Sequence, residues 1–156
     1  KLAGAKVLLL TRSPEKQTLG LNIGADYAVG TESEVRAIWP EGADLVVECA
    51  GVSATVTLSH KLARSGGRVV ILGVISQGEQ VPIEPFDMLF REIQMHFSFL
   101  NPFTHERAAK MIADGTINVS PLISRTISLE EAALAISSPP PNGEVRAIVV
   151  PNHDQN

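Results

Sequence analysis

Three short stretches carry residue types that could do chemistry. Thr11-Arg12-Ser13 sets two hydroxyls around a guanidinium, with no carboxylate before Glu15 and with Lys16 just after it. Such a set suits a phosphate: the guanidinium is a fixed bidentate donor, and no anion stands beside it. The plainer alternative is that Arg12 and Lys16 are solvated charges on a loop and a first helical turn. Glu48-Cys49-Ala50-Gly51 and Leu72-Gly73-Val74 bring glycines to the ends of apolar runs. Gly51 and Gly73 would let backbone approach a ligand closely, or they are ordinary turn glycines. Glu48 is expected to reach solvent from a strand end. Cys49 has no His or Lys close in sequence to lower its pKa, so it reads as a small buried thiol rather than a nucleophile. His60, His96, His105 and His153 show no metal-ligand spacing and read as surface or interface side chains.

These stretches sit in a regular frame. Residues 7–10 are an unbroken apolar run, the look of a strand buried on both faces. Ser13-Pro14 opens a helix, Ser as cap and Pro at the first helical position, and Gly24 closes it. Residues 26–29 form a second strand, and a weak helix over 33–39 is stopped by Pro40. Residues 44–48 form the next strand, Ser53 caps a helix through about Arg64, and Ser65-Gly66-Gly67 ends it. Residues 68–72 are a further strand, followed by a loop around Gly73 and Gly78. Strands alternating with helices at this spacing imply right-handed crossovers and a doubly wound parallel sheet, an α/β fold of Rossmann type.

Over residues 91–100 the pattern becomes a longer strand, with Ile93, Met95, Phe97 and Phe99 alternating with polar residues. That suggests one drier face, or an edge that finds a partner. Pro102 starts a helix ending at Gly115. Ser128 and Glu131 have capping-box spacing and open a helix to about Ile136. Pro139-Pro140-Pro141 is a stiff exposed loop, and residues 145–150 are the closing strand.

Composition narrows the function classes. Thirteen Lys plus Arg against 17 Asp plus Glu leave a formal charge of −4, so no basic field attracts a nucleic-acid backbone. No apolar run approaches the ~20 residues of a membrane span, and the first residues lack a signal-peptide layout. One cysteine excludes an intrachain disulfide framework and a four-cysteine zinc site. The expectation is a cytoplasmic, reduced, soluble chain.

In a doubly wound fold the end of the strand over 7–10 reads the adenosine ribose. An acidic residue there suits the 2′-hydroxyl of NAD, and a nearby Arg suits the 2′-phosphate of NADP. Thr11-Arg12-Ser13 therefore favours NADP, although such loops also accept NAD.

Read in order, the segments resemble the second half of the medium-chain dehydrogenase family, in its zinc-containing alcohol, polyol and threonine dehydrogenase branch. The resemblance runs through Gly4-Ala5-Lys6, Thr11-Arg12-Ser13-Pro14-Glu15-Lys16, Leu21-Asn22-Ile23-Gly24-Ala25-Asp26 and Asp44-Leu45-Val46-Val47-Glu48-Cys49-Ala50-Gly51. It continues through Gly66-Gly67-Arg68-Val69-Val70-Ile71-Leu72-Gly73-Val74, Pro85-Phe86-Asp87 with Arg91-Glu92-Ile93, Pro121-Leu122-Ile123-Ser124, Leu129-Glu130-Glu131-Ala132 and Gly143-Glu144-Val145-Arg146-Ala147-Ile148-Val149-Val150-Pro151. It covers nearly the whole chain. The family's first strand and glycine-rich turn would lie upstream of Lys1, and its catalytic zinc ligands in an N-terminal domain. Residues 1–116 then correspond to a truncated dinucleotide-binding domain, and 117–156 to a segment of the catalytic domain.

The resemblance implies site roles. Lys16 would reach the same ribose as Arg12. Leu72, Gly73 and Val74 would pack against the nicotinamide, with Ala50 and Gly51 beside them, and backbone near Ser98 and Leu100 would hold the carboxamide. Arg146 would face the pyrophosphate, or be an ordinary exposed strand Arg. The strand over 91–100 would pair with its twofold mate in a homodimer. The implied activity is hydride transfer between an alcohol or carbonyl substrate and NAD(P), with zinc in the intact enzyme and no activity in this chain alone. A zinc-free quinone or enoyl reductase of the same superfamily and a non-catalytic nucleotide-binding module are the alternatives. Removing the first, central strand leaves a gap of roughly 4.8 Å beyond normal pairing distance. The flanking strands would close it directly or take a strand from another chain, unless the missing segment belongs to the whole protein.

Overall fold

The structure, a computed structural model, describes residues 1–100 and 103–151. The chain divides into two compact units. One holds Lys1–Gly30 with the described residues of Pro102–Asn156, and the other holds the described residues of Thr31–Asn101.

In the first unit, β1 (Leu8–Leu10) runs parallel to β2 (Tyr27–Val29), with Leu9 opposite Ala28. The crossover is α1 (Pro14–Asn22), and its start follows the sequence expectation. Ser13 is extended and its hydroxyl accepts from Lys16 N at 3.3 Å, while Pro14 fills a position that needs no donor. A Cβ at Gly20 would lie 2.4 Å from Leu9 Cδ2, so the tip of Leu9 packs against the helix backbone there and would have to shift to admit a side chain. The same unit contains α5 (His105–Ala113), a 3-10 turn at Ser120–Leu122, β6 (Ile123–Ile127), α6 (Leu129–Ser137) and β7 (Arg146–Val149). β6 and β7 pair in parallel. The capping box on α6 is formed: the Ser128 hydroxyl accepts from Glu131 N, and the Glu131 carboxylate accepts from Ser128 N at 2.8 Å. Pro102, expected to open α5, lies outside the described residues, and the helix begins at His105.

The second unit runs α2 (Glu32–Ile38), β3 (Ala43–Glu48), α3 (Ser53–Leu62), β4 (Ala63–Ile71), α4 (Pro85–Phe90) and β5 (Gln94–Phe97). Its three strands form a parallel sheet in the order β3-β4-β5. The core is Val56, Ala63, Val69 and Ile71, with Val46, Ile75, Val81, Ile93 and Met95 packed around it.

Several local expectations change. The α3 cap is Val52, without a side-chain hydrogen bond, and Ser53 is the first helical residue. β4 starts at Ala63 rather than 68, because the chain bulges: Ala43 pairs Ala63, and the ladder resumes at Leu45 with Arg68. Gly66 inside that bulge has φ +71°, and its N–H donates to Arg91 O at 2.7 Å. Residues 91–93 do not join β5. Arg91 N donates to Asp87 O and Ile93 N to Met88 O, and these bonds wrap the end of α4 instead. The alternation through 91–100 holds for half-buried Ile93 and Met95 but fails at Phe97 and Phe99, which are exposed.

Among the described strands, β1 pairs with β2 in the first unit, and β3, β4 and β5 form a separate ladder in the second. No described helix is long and apolar enough to cross a membrane.

Candidate functional site

The carboxyl ends of β3, β4 and β5 are level, with Glu48 opposite Ile71 and Ile71 opposite Phe97. In a parallel α/β sheet, ligands bind outside this edge. Three of the predicted stretches leave the sheet here. Leu72 N and Gly73 N donate to the Glu48 carbonyl at 2.8 and 3.0 Å, and Ser98 N donates to Ile71 O at 3.0 Å. Ala50, Gly51, Leu72, Gly73, Val74, Ser98 and Leu100 thus follow consecutive strand ends of one sheet.

The Glu48 side chain overturns its sequence expectation. It is 5% exposed and turned inward. Oε1 accepts from Ala50 N at 2.8 Å, Gly51 N at 3.0 Å and Thr55 Oγ1 at 2.6 Å, and Oε2 lies 3.3 Å from Gly51 N. Three donors compensate the burial of the charge. The glycines serve this junction as well. Gly51 has φ +68°, and a Cβ there would lie 2.6 Å from Val74 O. A Cβ on Gly73 would lie 2.2 Å from Gly51 N and 2.5 Å from Glu48 Oε2. The close approach they permit is therefore of one loop to the other, whereas the sequence suggested backbone to ligand. Beyond the junction the surface opens: Val74 is 77% exposed and Leu100, at φ +57°, is 74% exposed. Cys49 is exposed, not buried as expected. Partial burial first and the Glu48 charge second push its pKa up, which agrees with a non-nucleophilic thiol.

The other predicted stretch lies at the end of β1. Thr11 N extends the ladder to Val29 O at 2.9 Å, and Gln17 Nε2 donates to Thr11 O at 2.7 Å. Ser13 Oγ donates to Glu15 Oε2 at 2.7 Å while capping the helix. That hydrogen bond is the first cause holding the Glu15 carboxyl below its ordinary range. Arg12 and Lys16 are exposed, and no ion pair or side-chain hydrogen bond engages either among the described residues. Two cations therefore stand free beside the positive end of α1. Gly143 belongs to the same corner, since a Cβ on it would lie 3.1 Å from Glu15 Cβ. Arg146 is the exposed first residue of β7, opposite Ile123.

Zinc has no visible seat. Among the described residues no group of three or more His, Cys, Asp or Glu side chains could hold a metal ion. His60 is 1% exposed rather than on the surface, and its two ring nitrogens lack hydrogen-bond partners. It ends up inside because it lies in the last turn of α3, where Arg91 closes over it by donating to His60 O and Ala63 O at 2.8 Å each. Burial is the first cause lowering its pKa. His153 lies outside the described residues.

A family model described as zinc-binding dehydrogenase matches residues 1–116. A protein of Rhizobium meliloti (strain 1021) named as a D-xylulose reductase is 36% identical over 94 residues, covering 60% of this chain and 27% of its own length. The sorbitol dehydrogenase of Mus musculus is 27% identical over 145 residues, covering 88% and 40%. Among solved structures, a zinc-binding dehydrogenase from Sinorhizobium meliloti 1021, bound to NADP, superposes with a TM-score of 0.92 at 49% identity. That match covers 96% of this chain and 46% of the other. The chain thus spans less than half the length of these relatives.

Proposed function

The chain belongs to the zinc-binding dehydrogenase family, and on that premise we propose that it is the dinucleotide-binding part of an NADP-favouring alcohol or polyol dehydrogenase. The observation that carries this reading is the turn at the end of β1, where the Thr11 carbonyl and the Ser13 hydroxyl are engaged within the turn while Arg12 and Lys16 are left free. A 2′-phosphate supplies the anion those cations lack, and Thr11 adds a hydroxyl. The relative bound to NADP, 49% identical, supports the same choice.

Residues 1–116 would form the nucleotide-binding domain, and 117–156 a segment of the catalytic domain. Ala50, Gly51, Leu72, Gly73 and Val74 would support the nicotinamide, with backbone at Ser98 and Leu100 reaching its carboxamide and Arg146 reaching the pyrophosphate. When bound, the nicotinamide exchanges a hydride with the substrate. The described residues do not fit zinc. The polyol relatives make a small alcohol or its carbonyl product the substrate class. The outer edge of β5, with Phe97 and Phe99 76% and 75% exposed, would pair with a second copy in a homodimer. A cytoplasmic location accords with the single cysteine.

The test is turnover. A form extended upstream to the length of the relatives, given NADP and a panel of polyols and primary alcohols, should reduce the nucleotide, and the 156-residue chain should not. Nucleotide binding without turnover on any alcohol or carbonyl would favour a non-catalytic nucleotide-binding module. Turnover of quinones or enoyl substrates by an extended form without zinc would favour the reductase branch.

A further inference from the structure

Building on the nucleotide-binding reading, we propose that Glu48 is a positioning residue whose buried carboxylate fixes the Ala50-Gly51 turn on which Gly73-Val74 packs, and so sets the surface that receives the nicotinamide half of the dinucleotide. Glu48 joins both loops. Its main-chain carbonyl accepts from Leu72 N and Gly73 N, and its side-chain carboxylate accepts from Ala50 N, Gly51 N and Thr55 Oγ1. The loops then meet backbone to backbone, close enough that a Cβ on Gly73 would lie 2.2 Å from Gly51 N. This is tight packing directed at a segment that contributes little burial, because Val74 is 77% exposed. A junction whose only task was stability would cover apolar surface. This one fixes the backbone beneath an open apolar surface, which is what preorganising a ligand seat requires.

The carboxylate chemistry matters. It offers lone pairs alone, and each donor facing it is an N–H or O–H. Glutamine would keep one oxygen for the donors at Oε1, but its NH2 would take the place of Oε2, 3.3 Å from Gly51 N, donor against donor. Aspartate is one methylene too short to hold the same contacts. Thr55→Val removes a single donor and leaves the charge and both backbone bonds in place.

The experiment compares two probes on the upstream-extended form. NADPH carries both the adenosine and the nicotinamide halves, and 2′,5′-ADP carries only the adenosine half with its 2′-phosphate. Each is titrated into the wild type, Glu48→Gln and Thr55→Val. Glu48→Gln should weaken NADPH about tenfold and leave 2′,5′-ADP unchanged, and Thr55→Val should show the same selectivity with a loss of about threefold. Equal losses for both probes, or no loss for either, would overturn the proposal. If Glu48→Gln fails to fold, the Thr55→Val ratio decides the question by the same criteria. Failure of both probes to bind the wild type would overturn the nucleotide reading itself, and the role of Glu48 with it.

Discussion

The strand ends of β3 and β4 and the turn after β1 are built on opposite plans. At the first, Glu48, Thr55 and four backbone amides satisfy one another, and glycines let the loops touch. At the second, the backbone is tied by Ser13, Glu15 and Gln17, yet two cations are left over. The first region presents shape and the second presents charge. Shape must be prebuilt and is costly to disturb, whereas unpaired exposed charge costs little until a ligand arrives. Substitutions should therefore divide into those that damage folding and those that damage only binding.

The largest effect should come from Gly73→Ala. Its Cβ would meet backbone rather than a flexible side-chain tip, so the loops must part, and thermal unfolding should show a loss of about 3 kcal/mol. A stability loss under about 1 kcal/mol would mean the junction is soft, and the contrast between the two regions would collapse. Next comes Arg12→Ala, which should weaken NADPH about tenfold in a fluorescence titration, leave NADH binding unchanged and barely move the melting temperature. A matching loss for NADH would remove the phosphate assignment. Ser13→Ala should then cost about 1 kcal/mol of stability through the lost α1 cap. It also frees Glu15 from its hydrogen bond, so the Glu15 pKa, read by NMR titration, should rise toward the ordinary carboxylate range.

The smallest effect concerns pH. His60 faces the charged groups Glu84, Asp87 and Arg91, with Lys61 beside it on α3, and burial holds its pKa below the ordinary histidine value. Its neutral form is favoured in the fold. The stability this contributes is complete above the unfolded histidine pKa and is lost as pH falls through the histidine range toward the folded value. The melting temperature should thus decline as pH falls below the ordinary histidine value of about 6.5, and His60→Gln should flatten part of that decline. An identical pH profile in the variant would place the titrating group elsewhere.

The elements legible in the sequence were those with local signals. Ser13-Pro14 and the Ser128–Glu131 box announce α1 and α6 because cap and first turn lie within four residues. The same spacing at Thr31 and Glu34 opens α2, where the Thr31 hydroxyl accepts from Glu34 N and the Glu34 carboxylate accepts from Thr31 N at 2.9 Å. Reading Ser33 as the start missed that signal. α4 is six residues behind Pro85, too short for periodicity to register, and β6 carries Ser124, Arg125 and Thr126 through its middle. In the candidate site, the cations after β1 could be seen because a charged residue on a loop is visible as such. The donors that turn Glu48 inward, Ala50, Gly51 and Thr55, lie within seven residues of it, but its burial also needs Gly73 to arrive beside Oε2 from more than 20 residues along the chain. His60 was misplaced for the same reason, since Arg91 and α4 close over it from about 30 residues away. Local chemistry could be read from neighbours in sequence, whereas burial had to wait for neighbours in space.

The central claim is that the turn after β1 reads a 2′-phosphate. Its most direct test is a paired titration of the upstream-extended form with NADPH and NADH at one fixed ionic strength. NADPH should bind more tightly, with an advantage that shrinks as salt is added. Equal affinity for the two nucleotides, or tighter binding of NADH, would contradict it.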